Sequence, residues 1–290
     1  MVTTKQRRQV VTHLLAAFAA QEPSARRVCR LVGLSRSRWH YRLRRSNDAE
    51  WRERLKTVAA EKPQWGYELL YDRMRRRGWI INHKKVLRLY REEGLALVRQ
   101  RRRKRVAAAR VPLPTPRGRT ERWSMDFVSD RFADGRAFRC FTVVDDFTRE
   151  AIAIEVSPSL PAWRITAVLD RVMGDRGRPR SIVCDNGPEF SGRVFDSWAH
   201  ANGIALQFIR PGKPVENAFV ESFNGRFRAE CLNAHWFLNT DHARVVIETW
   251  RVEYNSERPH SSLGRRTPAE FTASLETDPD PSPQPQRLTA

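Results

Sequence analysis

Apolar positions keep a helical spacing through the first third of this chain and change to an alternating, β-branched and aromatic pattern from Glu121. In "SARRVCRLVGLSRSRWHYRLRR", Val28, Leu31 and Val32 fall on one face, Gly33 breaks the period and Ser35 can cap the helix that follows. This predicts helix, turn, helix over residues 1–48. A second helical pair, 49–98, is read from "WGYELLYDRMRRRGWIINHKKVLRLYREEGL". There Leu69, Leu70 and Met74, then Val86, Leu87 and Tyr90, recur at helical intervals, Gly78 closes one helix and Asn82 caps the next. Trp65, Tyr67 and Trp79 are expected in its core. An arginine run with three prolines, 99–120, reads as a linker. Beyond it "RWSMDFVSDRF", "RAFRCFTVVDDFTRE" and "EAIAIEVS" predict three strands. Helix, strand, helix, strand and helix follow, the last within "KPVENAFVESFNGRFRAECLN". The order β-β-β-α-β-α-β-α predicts an α/β fold over 121–233, a mixed sheet flanked by helices. Residues 234–275 read as a helical extension of that core, and the Pro-rich 276–290 as a disordered tail.

Charge sharpens this division. The net charge of +20 is uneven: residues 1–122 carry +23 and residues 123–290 carry −3. A basic segment beside a near-neutral one is the footprint of a polyanion partner, with affinity supplied by counterion release. The first helical pair is thus a helix-turn-helix candidate with Arg36 and Arg38 on its second helix. Lys84, Lys85 and Arg88 are candidate phosphate contacts in the second pair. Four scattered cysteines without a C-x-x-C pair, and histidines never at ligand spacing with them, exclude a zinc finger and suggest reduced thiols in a cytoplasmic protein. The apolar run Leu14 to Ala20 is too short for a membrane span.

The near-neutral half carries the candidate chemistry. Two-metal phosphoryl transfer needs several hard oxygen ligands converging on ions about 3.5–4 Å apart. Asp126 lies within the first predicted strand and Asp185 ends the fourth, so a third carboxylate is expected from a helix across that edge. Phe219, Phe223 and Phe227 mark the buried stripe of the last helix. Glu216 and Glu230 lie near that stripe, whereas Glu221 is roughly 200° around from it, on a face shared with Asn217, Asn224 and Arg228. Those three polar residues are candidates to touch DNA or orient the carboxylate, and Lys213, just before the helix, to bind a phosphate. Asp145 and Asp146 rival Asp126, since they also follow a strand. Glu189, Asp130 and Asp134 read as loop carboxylates.

Asp126, Asp185 and Glu221, with thirty-five residues between the last two, match the DDE signature of retroviral integrases and transposases. Around them "CDNGPEF", "PGKPVENAFVESFNGRFRAECLN" and "WRVEYNSERPHSSLGRRTPAEF", with the upstream helical pair, resemble the second-frame (OrfB) proteins of bacterial insertion sequences of family three over residues 24–272. The resemblance implies a ribonuclease-H-like integrase core binding two Mg²⁺ or Mn²⁺ through Asp126, Asp185 and Glu221. It also implies a DNA transposase that cuts at the element's terminal repeats and uses the freed 3′-hydroxyl to attack another phosphodiester, as a homo-oligomer on DNA, cytoplasmic and nucleoid-associated. Many such enzymes work as a frameshift fusion with an upstream-frame protein that supplies a leucine zipper. No sustained leucine heptad occurs in this chain, so it is expected to be the catalytic portion. Two competing expectations are a non-catalytic DNA-binding regulator, for which the basic half would suffice, and a structure-specific nuclease on the same fold.

Overall fold

A computed structural model of the protein describes residues 3–41, 48–97, 115–209 and 217–277. Two compact units divide between Glu53 and Arg54. In the first, α1 (Thr4–Ala17) starts at Thr3, whose hydroxyl accepts from the Gln6 N–H while the Gln6 side chain accepts from the Thr3 N–H at 2.8 Å. Helices α2 (Ala25–Leu31) and α3 (Arg36–His40) are joined through Gly33, at φ +66°. Ser35 caps α3 by accepting from Arg38 N–H. Val11, Val28, Cys29 and Leu34 form the small core. Leu31, expected with them, is 76% exposed, because the turn at Gly33 brings Leu34 back in its place.

Helix α4 (Ala49–Glu61) runs across the division. Its Leu55 and Val58 are buried in the second unit, as are Leu70 and Met74 of α5 (Tyr67–Arg76) and Val86, Leu89 and Tyr90 of α6 (His83–Glu92). Asn82 caps α6 by accepting from Lys84 N–H at 2.9 Å. Trp65 is buried, whereas Trp79 is half-buried beneath the guanidiniums of Arg54 and Arg77.

The remainder is a five-stranded sheet in the order β3-β2-β1-β4-β5, built from β1 (Arg122–Arg131), β2 (Ala137–Asp145), β3 (Ala151–Ser157), β4 (Ser181–Cys184) and β5 (Ala205–Phe208). The first three strands form an antiparallel meander, and β4 and β5 add in parallel beside β1, so the sheet is mixed as expected. Strand alternation divides its side chains between two cores. Trp123, Met125, Phe141 and Val143 pack under α7 (Ala162–Arg176) and α8 (Arg193–Ala201). On the opposite face Val128, Phe138, Cys140 and Val144 meet Val220, Phe223 and Phe227 of α9 (Ala218–Glu230) and Ile247, Trp250 and Tyr254 of α10 (Thr240–Ser256). Helix α11 (Pro268–Thr277) contributes Phe271 to a satellite cluster with Phe147 and Leu263. All four cysteines are free and buried, and burial pushes the Cys184 and Cys231 thiols up to about 12. Among the described residues no helix is long and apolar enough to cross a membrane.

Candidate active site

The alternation that sends Met125 to one core sends Asp126 to the other face of β1, towards α9. Its carboxylate is held by two donors: Phe127 N–H reaches Oδ1 at 2.8 Å and Asn224 Nδ2 reaches Oδ2 at 2.8 Å. Thr142, directly opposite Asp126 on β2, places its hydroxyl 3.0 Å from Asn224 Oδ1 and 3.1 Å from Asp126 O, so its single proton serves one or the other. Burial, and after the two hydrogen bonds the negative charge of Asp185, decide the balance: the Asp126 carboxyl is raised above its ordinary value.

Asp185 directly follows β4, at the carboxyl end of a parallel strand. Its Oδ1 accepts from Gly187 N–H at 3.0 Å. A Cβ at residue 187 would stand 2.9 Å from that oxygen and 3.2 Å from Glu189 Oε2, so a side chain there would push these carboxylates aside. Glu221 projects from the first turn of α9 and is exposed. Its carboxyl is raised by burial first and by the charge of Asp126 second.

The three carboxylates therefore feel one another through Asp126. Five other carboxylates of the core have cationic partners: Glu150 with Arg176, Glu155 with Arg164, Glu189 with Arg139, Glu230 with Arg258 and Asp146 with Arg122. Among the described residues no Lys or Arg makes such a pair with Asp126, Asp185 or Glu221. A set of hard oxygen donors without a cationic partner suits a divalent ion. The geometry is open, since no three His, Cys, Asp or Glu side chains among the described residues are gathered tightly enough to hold an ion as they stand.

The rival aspartates have structural work. Asp145 accepts from Phe147 N–H and Thr148 N–H at Oδ1 and from Thr120 N–H at Oδ2, closing the β2–β3 turn. Asp146 forms a buried pair with Arg122 at 2.5 Å. The polar companions of Glu221 turn towards β1. Asn217 is buried and donates to Met125 O at 3.2 Å, Asn224 holds Asp126, and Arg228 donates to Ser129 O at 2.9 Å while remaining exposed. Phe219 is only partly buried, with Arg149 3.9 Å and Arg122 5.6 Å from its ring centroid, so Val220 takes the place expected for it in the stripe. Glu230 is largely buried against Arg258. Arg36, Arg38, Lys84 and Arg88 are exposed on α3 and α6, Arg88 pairing with Glu92. Lys85 is half-buried on α6. Lys213 and Glu216 lie outside the described residues. Sequence reasoning missed Thr142 and Arg139; the parity of β2, which puts Thr142 opposite Asp126, was the available signal for the first.

Residues 116–214 and 202–268 match two models described as an integrase core domain, and residues 46–104 match an HTH-like domain. Asp126 and Asp185 fall in the first match and Glu221 in the second. The helix-turn-helix match covers the α4–α6 segment, not the first helical pair on which that motif was expected. The chain is 48% identical over 251 residues to the insertion element IS407 uncharacterized 31.7 kDa protein of Burkholderia multivorans, covering 86% of this chain and 91% of that one. The chain belongs to the OrfB transposases of family-three insertion sequences. A further relative of this OrfB chain is the insertion element IS476 uncharacterized 39.2 kDa protein of Xanthomonas euvesicatoria, 44% identical with 88% and 74% covered. The transposase InsF for insertion sequence IS3A of Escherichia coli is 24% identical, with 86% and 94% covered. Among solved structures, the HTLV-2 integrase catalytic core domain in complex with magnesium is similar at a TM-score of 0.39 and 18% identity, covering 52% of this chain and 94% of that one. As an OrfB transposase the chain is a DDE polynucleotidyl transferase on an integrase-type fold.

Proposed function

We propose that this transposase cuts and rejoins DNA at the terminal repeats of its own insertion sequence through Asp126, Asp185 and Glu221. The observation that carries the reading is the placement of Asp126 on β1, of Asp185 directly after the neighbouring β4 and of Glu221 on the first turn of α9, the helix whose Asn224 bonds Asp126, without a cationic partner among the described residues. The three would hold two Mg²⁺ or Mn²⁺, which when bound activate the attacking oxygen and stabilise the leaving one. The chain's own part is positioning. Asn224 and Phe127 N–H fix both oxygens of Asp126, Gly187 N–H fixes Asp185, and Asn217 seats the start of α9 on β1 so that Glu221 faces the same edge. Exposed basic side chains on α3 and α6, with Lys213 before α9, would hold the phosphodiester backbone; the protein would act on end and target DNA as a homo-oligomer, alone or fused to an upstream-frame product.

The test is a cleavage and joining assay on terminal-repeat DNA with Mn²⁺. Asp126→Asn, Asp185→Asn and Glu221→Gln are each expected to abolish both reactions while leaving electrophoretic DNA binding at the parental level. Cleavage retained in any one of them would show that carboxylate to be the wrong choice. Cleavage by the parent without joining would reduce the activity to that of a nuclease.

A further inference from the structure

Glu189, four residues beyond Asp185, forms an ion pair with Arg139 of β2, and both side chains are mostly buried, at 19% and 33% exposure. The Arg139 guanidinium also lies 4.1 Å from the centroid of the Phe127 ring. Phe127 stacks at 5.0 Å on Phe190, which is fully buried. The segment from Asp185 to Phe190 is thus fastened at its far end to β1, which carries Asp126, and to β2 beside it. Phe127 follows Asp126 directly and its N–H is one of the two donors to that carboxylate. At the near end, Gly187 brings the Asp185 and Glu189 carboxylates against the same point, which a single methyl group would fill.

We propose that the Glu189–Arg139 pair is a latch that positions Asp185. Unpaired, the Glu189 carboxylate would add a second negative charge beside Gly187, next to Asp185. Arg139 neutralises Glu189 and draws it down onto β2, leaving the charge of Asp185 free for a cation. An exposed pair of this kind would contribute little. This one is different because the guanidinium is already packed against Phe127, so less freedom is lost on pairing. Both residues act through Asp185 and are positioning residues. The inference rests on the reading of Asp185 as a metal-holding carboxylate.

The test uses the full chain, Arg139→Gln, Glu189→Gln and the charge-exchanged double variant Arg139→Glu with Glu189→Arg. Two readouts are taken: deuterium uptake of the peptide spanning residues 184–192 without metal, and the Mn²⁺ concentration giving half-maximal cleavage of terminal-repeat DNA. Each single variant is expected to raise uptake in that peptide and to raise the Mn²⁺ requirement about tenfold, the scale of outer ligand-orienting partners. Most of the lost rate should return at saturating Mn²⁺. The double variant should move both readouts back towards the parent. Unchanged uptake, an unchanged Mn²⁺ requirement, or a double variant no better than the singles would overturn the latch. Asp185→Asn, in which the pair is intact, separates the two failures: cleavage retained there overturns the underlying reading of Asp185 itself.

Discussion

Asp126 is oriented by hydrogen bonds but is not neutralised by any of them, and that distinction predicts how its neighbours behave when changed. Asn224→Ala removes the donor to Oδ2 and leaves the carboxylate free to rotate. Cleavage is expected to fall about 10- to 100-fold, the usual cost of losing a residue that orients a metal ligand, with DNA binding unchanged in a gel-shift assay. A parallel loss of binding would return Asn224 to the DNA-contact role considered for it at the outset. The raised pKa of Asp126 has a stability consequence with a definite sign. A carboxyl whose folded pKa lies above its unfolded value costs stability as pH rises past the unfolded value, and the cost is complete above the folded one. Asp126→Asn removes that ionised form, so at pH 7 without metal its thermal midpoint should equal or exceed the parent's, measured by circular dichroism, even though cleavage is lost. A clear drop in midpoint would show that burial is not what raises this carboxyl. The strand and helix positions of the three carboxylates were legible from alternation and the helical wheel. The inward turn of Asn217, Asn224 and Arg228 was not. A helical wheel tells which way a residue faces, not whether a strand's backbone lies within reach of its side chain.

Helix α9 does its work because its apolar side is clamped between the sheet and α10. Phe223 packs edge-on to Tyr254 at 5.0 Å and Phe227 lies 5.1 Å from Trp250. Phe223→Ala should therefore cost about 3–5 kcal/mol of stability, read from urea unfolding, and should disturb Glu221 as well. The segment from Tyr254 to His260 has a role in this clamp. Asn255 exchanges two hydrogen bonds with Ala151 of β3, at 2.9 and 3.0 Å, and Arg258 grips Glu230 at the end of α9. His260 is buried edge-on to Tyr254, and its pKa is held well below the ordinary value by burial first, then by the cations Arg258, Arg226 and Arg149. A base with a depressed folded pKa stabilises the fold above its unfolded pKa, and that stability is lost as pH falls from about 6.5 towards the folded value. Comparing thermal midpoints from pH 7 to pH 5, His260→Gln should give a shallower decline than the parent. Equal slopes would mean that His260 is protonated in the folded state. Sequence pattern marked α10 as a helix, but the partners of Asn255 and His260 lie on β3 and in the turn before α11, separations that periodicity does not register.

Over the whole molecule the excess positive charge sits in the first two fifths of the sequence, yet not all of it is available to a polyanion. Arg73 is committed to Glu61 and Glu257, Arg76 to Glu270, and Arg77 to Glu61. With Arg265, which pairs with Glu68 and Asp72, and Lys62, which pairs with Glu253, these bridges bind α4 and α5 to each other and to the C-terminal segment. Charge counting saw the asymmetry but could not tell a cation that fastens two helices from one that awaits a phosphate. The structure makes that separation, and salt titration can test it. Each phosphate neutralised by a lysine or arginine adds about 0.9 to the slope of log affinity against log salt on duplex DNA. Lys84 is exposed at the start of α6, within the segment that matches the HTH-like domain. Lys84→Ala should lower the slope by about one and weaken binding evenly across DNA sequences. Arg76→Ala should leave the slope nearly unchanged while lowering the thermal midpoint slightly, since a partly exposed pair contributes under about 1 kcal/mol. Filter binding from low to moderate KCl with both variants decides the matter. If Arg76→Ala reduces the slope as much as Lys84→Ala, the bridges open when DNA arrives, and the helical segment would exchange its intramolecular carboxylates for phosphates.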